Sequence, residues 1–257
     1  MSDISNEVLT EYSDGIALIT INRPRAKNAV NAATAAAIAA AVDTLEERSD
    51  LAVGIITGAG GTFCAGMDLK EFTRGESASI PGRGFGGLTE SPPSKPLIAA
   101  IEGWALAGGC ELALSADLVV AARTARFGLP EVKRGLVAMA GGLLRLPKAL
   151  PYPVAMRIAL TGDPITAEEA QRFGLVSVLS EEGGALAAAK ELAATIAANG
   201  PLAVRATKRI VSESARWTDA DAFETQRAIA QPVMQSADAR EGALAFAEKR
   251  APAWRGE

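Results

Sequence analysis

Three short apolar runs constrain the fold of this chain more than any other feature. They are Leu51-Ala-Val-Gly-Ile-Ile-Thr57, Pro96-Leu-Ile-Ala-Ala-Ile101 and Asp117-Leu-Val-Val-Ala-Ala122. Each is too short for a helix and is apolar without alternation, as a strand covered on both faces is. Two of them run into glycine turns and then into helical patterns. Repeated strand–turn–helix order predicts right-handed βαβ units around a mostly parallel sheet, an α/β architecture. A chain of 257 residues buries roughly 70–75% of its unfolded surface, enough for a large core.

The rest of the chain fits around that sheet. Val8–Glu11 and Gly15–Asn22 read as paired strands about the turn Ser13-Asp14-Gly15. Pro24 keeps "INRPRAKNAVN" extended, and Asn31 then caps an alanine-rich helix to about Glu47. Gly, Ser and Pro crowd Phe72–Pro96, which predicts a mobile loop. From Gly141 onward the pattern is mostly helical. Thr166 caps a helix closed at Gly174, and further helices span Gly184–Asn199, Pro201–Ser214, Asp219–Gln235 and Asp238–Lys249. A core of residues 1–195 followed by a helical region of 196–257 is the expected organisation.

Charge and composition exclude several function classes. The net charge of −4 offers no electrostatic footprint for nucleic acid or an anionic membrane. Met1 to Gly15 is polar and acidic, unlike a targeting segment, and the alanine-rich runs are too short and too weakly apolar to span a bilayer. Two cysteines, Cys64 and Cys110, make no disulfide framework, so a cytoplasmic location is expected. The chain has no histidine. Ser-His-Asp triads, Cys–His pairs and His-ligated zinc are therefore excluded, and proton chemistry falls to Glu, Asp, Lys, Tyr or Cys.

The first glycine turn, "GAGGTFCAGMDLKEF" from Gly58 to Phe72, invites a phosphate-binding reading and fails it. No P-loop string occurs, and the third glycine of a dinucleotide fingerprint would fall on Phe63. Glycines at such turns also free backbone N–H groups for another partner. The second turn, Ala107-Gly108-Gly109-Cys110-Glu111, opens a helix, where N–H groups gather at the positive end. Paired with an N–H near Met67, it would form a two-donor cup for an oxyanion; alternatively Gly108 and Gly109 serve close packing. Glu111 lies among apolar residues and Glu131 follows a proline in "RFGLPEVKRG". Either suits acid–base work if its pKa is raised. Otherwise Glu111 partners a helix dipole and Glu131 pairs with Lys133 or Arg134.

Together "INRPRAKNAVN", "GAGGTFCAGMDLKEF", "AGGCELALSADLVVAARTARFGLPEVKRG" and "EGALAFAEKRAPAW" resemble, in order and over nearly the whole chain, the crotonase or enoyl-CoA hydratase/isomerase superfamily. "EVKRG…GGLLRLPKALP" and "GFGGLTE" look most like its carnitinyl-CoA dehydratase branch. The resemblance implies a crotonase fold of repeated ββα units with a C-terminal helical region for trimerisation, as a homotrimer or dimer of trimers. It implies reversible hydration of a 2-enoyl-CoA, with delta-isomerisation or carnitinyl-CoA dehydration as alternatives. The implied oxyanion donors are the N–H groups of Met67 and Gly108, and the implied catalytic pair is Glu111 and Glu131. Arg25, Ala26, Lys27, Ala65, Asp68, Leu69 and Lys70 match segments that embrace CoA, and Phe246 and Lys249 match residues that reach it, often from a neighbouring subunit. No metal or separate cofactor is implied, since CoA is part of the substrate. Where many hydratases carry Pro-Gly, this chain has Ala138-Met139, which implies a narrowed or reshaped acyl pocket. Some relatives bind RNA, but Asn31–Asp50 holds one Arg and no Lys, which argues against that use.

Overall fold

A computed structural model describes residues 7–257. Residues 1–6, within the polar start read above, lie outside the described residues. Eleven strands run in order: β1 (Val8–Ser13), β2 (Ile16–Ile21), β3 (Val53–Gly58), β4 (Ser79–Ile80), β5 (Gly84–Phe85), β6 (Leu97–Ile101), β7 (Trp104–Leu106), β8 (Leu118–Ala122), β9 (Arg126–Gly128), β10 (Ile165–Thr166) and β11 (Val178–Ser180). The helices are α1 (Ala32–Glu47), α2 (Leu69–Phe72), α3 (Gly108–Ala113), α4 (Gly142–Ala149), α5 (Tyr152–Thr161), α6 (Ala167–Arg172), α7 (Ala185–Ala197), α8 (Pro201–Glu213), α9 (Ala222–Met234) and α10 (Ala237–Glu248).

The main sheet has the order β1-β2-β3-β6-β8-β11. Only β1 and β2 pair antiparallel, through a two-residue turn in which Asp14 and Gly15 both take positive φ. That combination matches the right-handed twist of a hairpin. All other pairs in the sheet are parallel, as the apolar runs predict. Side chains alternate between two covered faces. Val53, Ile55, Ile98 and Val120 point to α7, which packs Ala189 and Ala193 on them. Ile19, Ile21, Ile56 and Ile101 point the other way, toward Ile38 and Val42 of α1 and a layer that includes Phe63, Phe85 and Phe127. Asn31 caps α1 as expected, its side chain accepting from the Thr34 N–H at 2.8 Å.

A second layer carries the glycine turns. β7, β9 and β10 form a three-stranded sheet, and an isolated bridge joins Cys64 to Ala105 of β7. Phe72–Pro96 departs from the expected mobile loop. It holds the β4–β5 pair and buries Phe85, Leu88 and Thr89, because its glycines let the chain fold tightly over those apolar anchors. All five of them, Gly75, Gly82, Gly84, Gly86 and Gly87, adopt positive φ. At the C-terminal end, Trp254 donates from Nε1 to the Ala198 carbonyl at 2.8 Å, and Asp238 accepts from the Arg255 and Gly256 N–H groups. Among the described residues no helix is long and apolar enough to cross a membrane.

Candidate active site

The two glycine turns meet backbone to backbone. A Cβ on Gly109 would lie 2.1 Å from the Cys64 carbonyl oxygen, so only glycine fits there. A Cβ on Gly66 would lie 3.2 Å from the Gly108 nitrogen, which sets the Met67 and Gly108 segments side by side. The close packing of these glycines leaves the backbone of both turns side by side at one place. Ala107 reinforces the geometry: its φ of 51° and ψ of −129° are costly for a residue with a Cβ. The strain is held by the Ala107 N–H, which donates to the Gly128 carbonyl at 2.9 Å. That rotation sets the direction in which the following Gly108 N–H points at the mouth of α3.

The first loop is held by a residue that sequence reasoning did not single out. Asn28 is fully buried, with its side chain donating to the Ala59 and Thr62 carbonyls at 2.8 and 2.6 Å and accepting from the Arg23 N–H at 2.8 Å. It pins "GAGG" to the Arg23–Asn28 loop. Gly58 is crowded by its own loop, since a Cβ would stand 2.2 Å from the Phe63 carbonyl oxygen. No phosphate is needed to explain the glycines.

A cleft of about 930 Å³ opens over both turns. Met67, Gly108, Glu111 and Glu131 all line it, as do Lys27, Ala65 and Leu69. Glu111 reaches it from α3. Its Oε1 accepts from the Ala140 and Gly142 N–H groups at 2.8 and 2.9 Å. Glycine at 142 leaves room for this carboxyl, because a Cβ there would sit 2.9 Å from Glu111 Cγ and push it aside. Glu131 comes from the short 3-10 turn Pro130–Arg134, and its Oε2 is buried with no hydrogen-bond partner among the described residues. Burial raises the pKa of both carboxyls; Glu111 is eased back by the two N–H donors, whereas the nearby charge of Glu111 pushes Glu131 further up. Cys64 and Cys110 lie beneath the turns, and burial pushes both thiols up to about 12, which removes them as nucleophiles.

Other expected residues stand apart from this wall. Asp68 pairs with Arg23 at 2.9 Å and accepts from the Lys70 N–H at 3.1 Å, capping α2. Arg25, Ala26 and Lys70 lie near the Lys27 and Leu69 end without bordering the cleft. Phe246 is 88% exposed on α10, and Lys249 ends that helix in the left-handed region; neither borders this chain's own cleft. Met139 is 88% exposed at the rim. It stands at the mouth of the cleft, where its side chain borders the opening. Arg145 was not anticipated and sits behind Glu111 on α4. The signal for it lay in the pair Gly141-Gly142 four and three residues earlier, which brings a helix start against α3.

Known proteins resemble this chain along nearly its whole length. The profile of the enoyl-CoA hydratase/isomerase family matches residues 11–257. Enoyl-CoA hydratase EchA19 of Mycobacterium tuberculosis is 41% identical, covering 96% of this chain and 95% of its own. A carnitinyl-CoA dehydratase of Salmonella arizonae is 44% identical, covering 93% and 94%. The crystal structure of enoyl-CoA hydratase EchA1 from Mycobacterium marinum superposes with a TM-score of 0.96 at 61% identity, covering 98% of this chain and 99% of that one. A family profile matched over residues 11–257, a relative 41% identical along nearly its whole length and a solved structure superposing at a TM-score of 0.96 place the chain in the enoyl-CoA hydratase/isomerase family, with the crotonase fold.

Proposed function

We propose that this protein catalyses the reversible hydration of a 2-enoyl-CoA thioester to the 3-hydroxyacyl-CoA. One observation carries the reading: two carboxyls from separate elements face one cleft in unequal states of solvation. Glu111 is held by two N–H donors through one oxygen, an arrangement that favours the carboxylate. Glu131 keeps a buried oxygen without a partner, which favours the protonated acid. Such a pair divides acid and base work without a histidine.

The thioester oxygen then sits in the cup of the Met67 and Gly108 N–H groups. Glu111 takes a proton from water as the water oxygen bonds to C3. The C2–C3 π electrons become the C1–C2 π bond of an enolate as the carbonyl π pair moves onto oxygen, where the cup stabilises the charge; the carbonyl re-forms when C2 is protonated. Glu131 gives its proton to C2, and proton exchange with solvent resets both carboxyls. Dehydration is the reverse. These steps balance without a metal or an electron acceptor, so the reaction as read needs no cofactor beyond the CoA of its substrate. The substrate's place in fatty-acid or other lipid metabolism fits that chemistry, and two buried free thiols fit a cytoplasmic setting.

Lys27, Ala65 and Leu69 border the cleft and are assigned to the CoA arm, with Arg25, Ala26, Asp68 and Lys70 framing that end. Phe246 and Lys249 are assigned to a neighbouring subunit's CoA in a homotrimer. Exposed Phe223, Met234 and Leu244 on α9 and α10 supply apolar surface for that assembly. A helical region from residue 196 and a core before it remain the proposed division. The test is a panel of 2-enoyl, 3-enoyl and 3-hydroxyacyl thioesters, carnitinyl-CoA included, followed by the enoyl absorbance and by product analysis. Hydration of at least one 2-enoyl thioester is expected. Double-bond migration with no hydrated product on any member would contradict the proposal.

A further inference from the structure

The turn that holds Glu111 is itself held from behind. Its Ala140 and Gly142 N–H groups donate to Glu111, and the next helical turn carries Arg145. The Arg145 N–H closes onto the Gly141 carbonyl at 2.9 Å. The guanidinium folds back over the same turn: a Cβ on Gly141 would lie 2.2 Å from its Nη1. Its Nη2 donates to the Thr89 carbonyl at 2.6 Å. Thr89 follows the segment whose Phe85 ring packs against Gly108, 2.5 Å from the position of a Cβ there. One side chain therefore links the turn that fixes Glu111 to the loop that walls the Gly108 turn.

Arg145 forms no ion pair with any carboxylate among the described residues. It is half-buried, and burial lowers its pKa while the charge of Glu111 raises it. In return it pulls the Glu111 pKa down against the burial that raises it. The other charged groups on the cleft are Glu131 and Arg134 of the 3-10 turn, Glu76 and Glu90 near the β4–β5 pair, and Lys27 at the far end. None of these faces Glu111 from behind its own hydrogen-bonded turn.

We propose, on the hydratase reading above, that Arg145 is a positioning residue for Glu111: it clamps the Ala140–Gly142 turn to the Thr89 carbonyl and places a fixed positive charge behind the carboxylate. Its effect falls on the chemical step, because it touches neither the cleft floor nor the CoA end. A displacement of about 1 Å in a catalytic group can cost about 10²-fold in rate.

The experiment compares Arg145→Met, Arg145→Gln and Arg145→Lys in the full chain. The readouts are kcat and KM, the pH profile, and an infrared titration of the Glu111 carboxyl band, assigned by its loss in Glu111→Gln. The two neutral variants should lose about 10- to 100-fold in kcat with KM little changed. Their acid limb and the infrared midpoint should both move to higher pH. Arg145→Lys keeps the charge and should hold the midpoint near wild type while losing part of kcat. Should Arg145→Met fail to fold, Arg145→Gln supplies the same comparison, since it is neutral and too short to reach the Thr89 carbonyl while keeping a polar end for the half-buried position. A folded neutral variant with the wild-type midpoint and kcat overturns the proposal. The infrared midpoint decides the role of Arg145 even if no thioester is hydrated, a result that would count against the hydratase reading alone.

Discussion

Replacing Gly142 by alanine tests how tightly Glu111 is held. The new Cβ would lie 2.9 Å from Glu111 Cγ, 3.0 Å from its Oε1 and 3.1 Å from Leu129 Cδ1, where ordinary contact starts at 3.4 Å. Gly142 does not use positive φ, so the backbone accepts alanine and the whole effect comes from those contacts. Leu129 is buried and Glu111 is tied to the same turn, so the carboxylate has to yield by roughly half an ångström. If 1 Å costs about 10²-fold, half of that costs about 10-fold in kcat, near 1.4 kcal/mol in the barrier. Overpacking adds about 1–3 kcal/mol of lost stability. The assay is initial-rate hydration of a 2-enoyl thioester, with a thermal melt as the folding control. A variant that melts lower yet keeps kcat within about twofold would refute the claim that this turn sets the Glu111 geometry.

Two further substitutions separate packing from chemistry. Gly108→Ala sets a methyl 2.5 Å from the Phe85 ring, whereas Gly108→Pro adds loss of the N–H donor; relative to Gly108→Ala, Gly108→Pro should lose about 10²–10³-fold in kcat, read with oligomer size as control. Glu111→Gln should melt at or above the wild-type temperature near neutrality. The folded pKa of Glu111 is raised, so the folded state binds more protons than the unfolded one between the two pKa values. Wild-type stability therefore falls as pH rises through that window, and glutamine does not share the loss. Melting curves from acid to neutral pH check it, and a variant that melts lower than wild type at every pH would contradict it.

The parts of the fold that rest on local rules were readable from the chain. The β1–β2 turn has Asp14-Gly15, α1 has its Asn31 cap and α6 its Thr166 cap, with Thr166 Oγ1 accepting from the Glu169 N–H at 3.0 Å. The parallel sheet followed from three buried runs. Short pieces such as β7, β9 and β10 were missed, since strands of two or three residues carry no periodicity and exist only by pairing across the second layer. Phe72–Pro96 read as mobile because Gly and Ser dominate it, while its order comes from a few buried anchors such as Phe85 and Leu88. Glu111 and Glu131 were legible as carboxyls in apolar settings. Their unequal solvation was not, because it depends on N–H groups about thirty residues away in the chain, at Ala140 and Gly142. Asn28 and Arg145 were missed for the same reason: each acts through main-chain carbonyls that a sequence does not mark.

The central claim is that Glu111 and Glu131 share the proton work over a backbone oxyanion cup. Its most direct measurement is the single-turnover hydration rate of Glu111→Gln and of Glu131→Gln, taken with saturating 2-enoyl thioester. Glutamine keeps the carbonyl oxygen that accepts from Ala140 and Gly142 and removes only the titrating oxygen, so thioester binding should stay close to wild type. Each rate should fall by about 10²–10⁴-fold. Either variant retaining more than about a tenth of the wild-type rate would contradict the assignment of that glutamate.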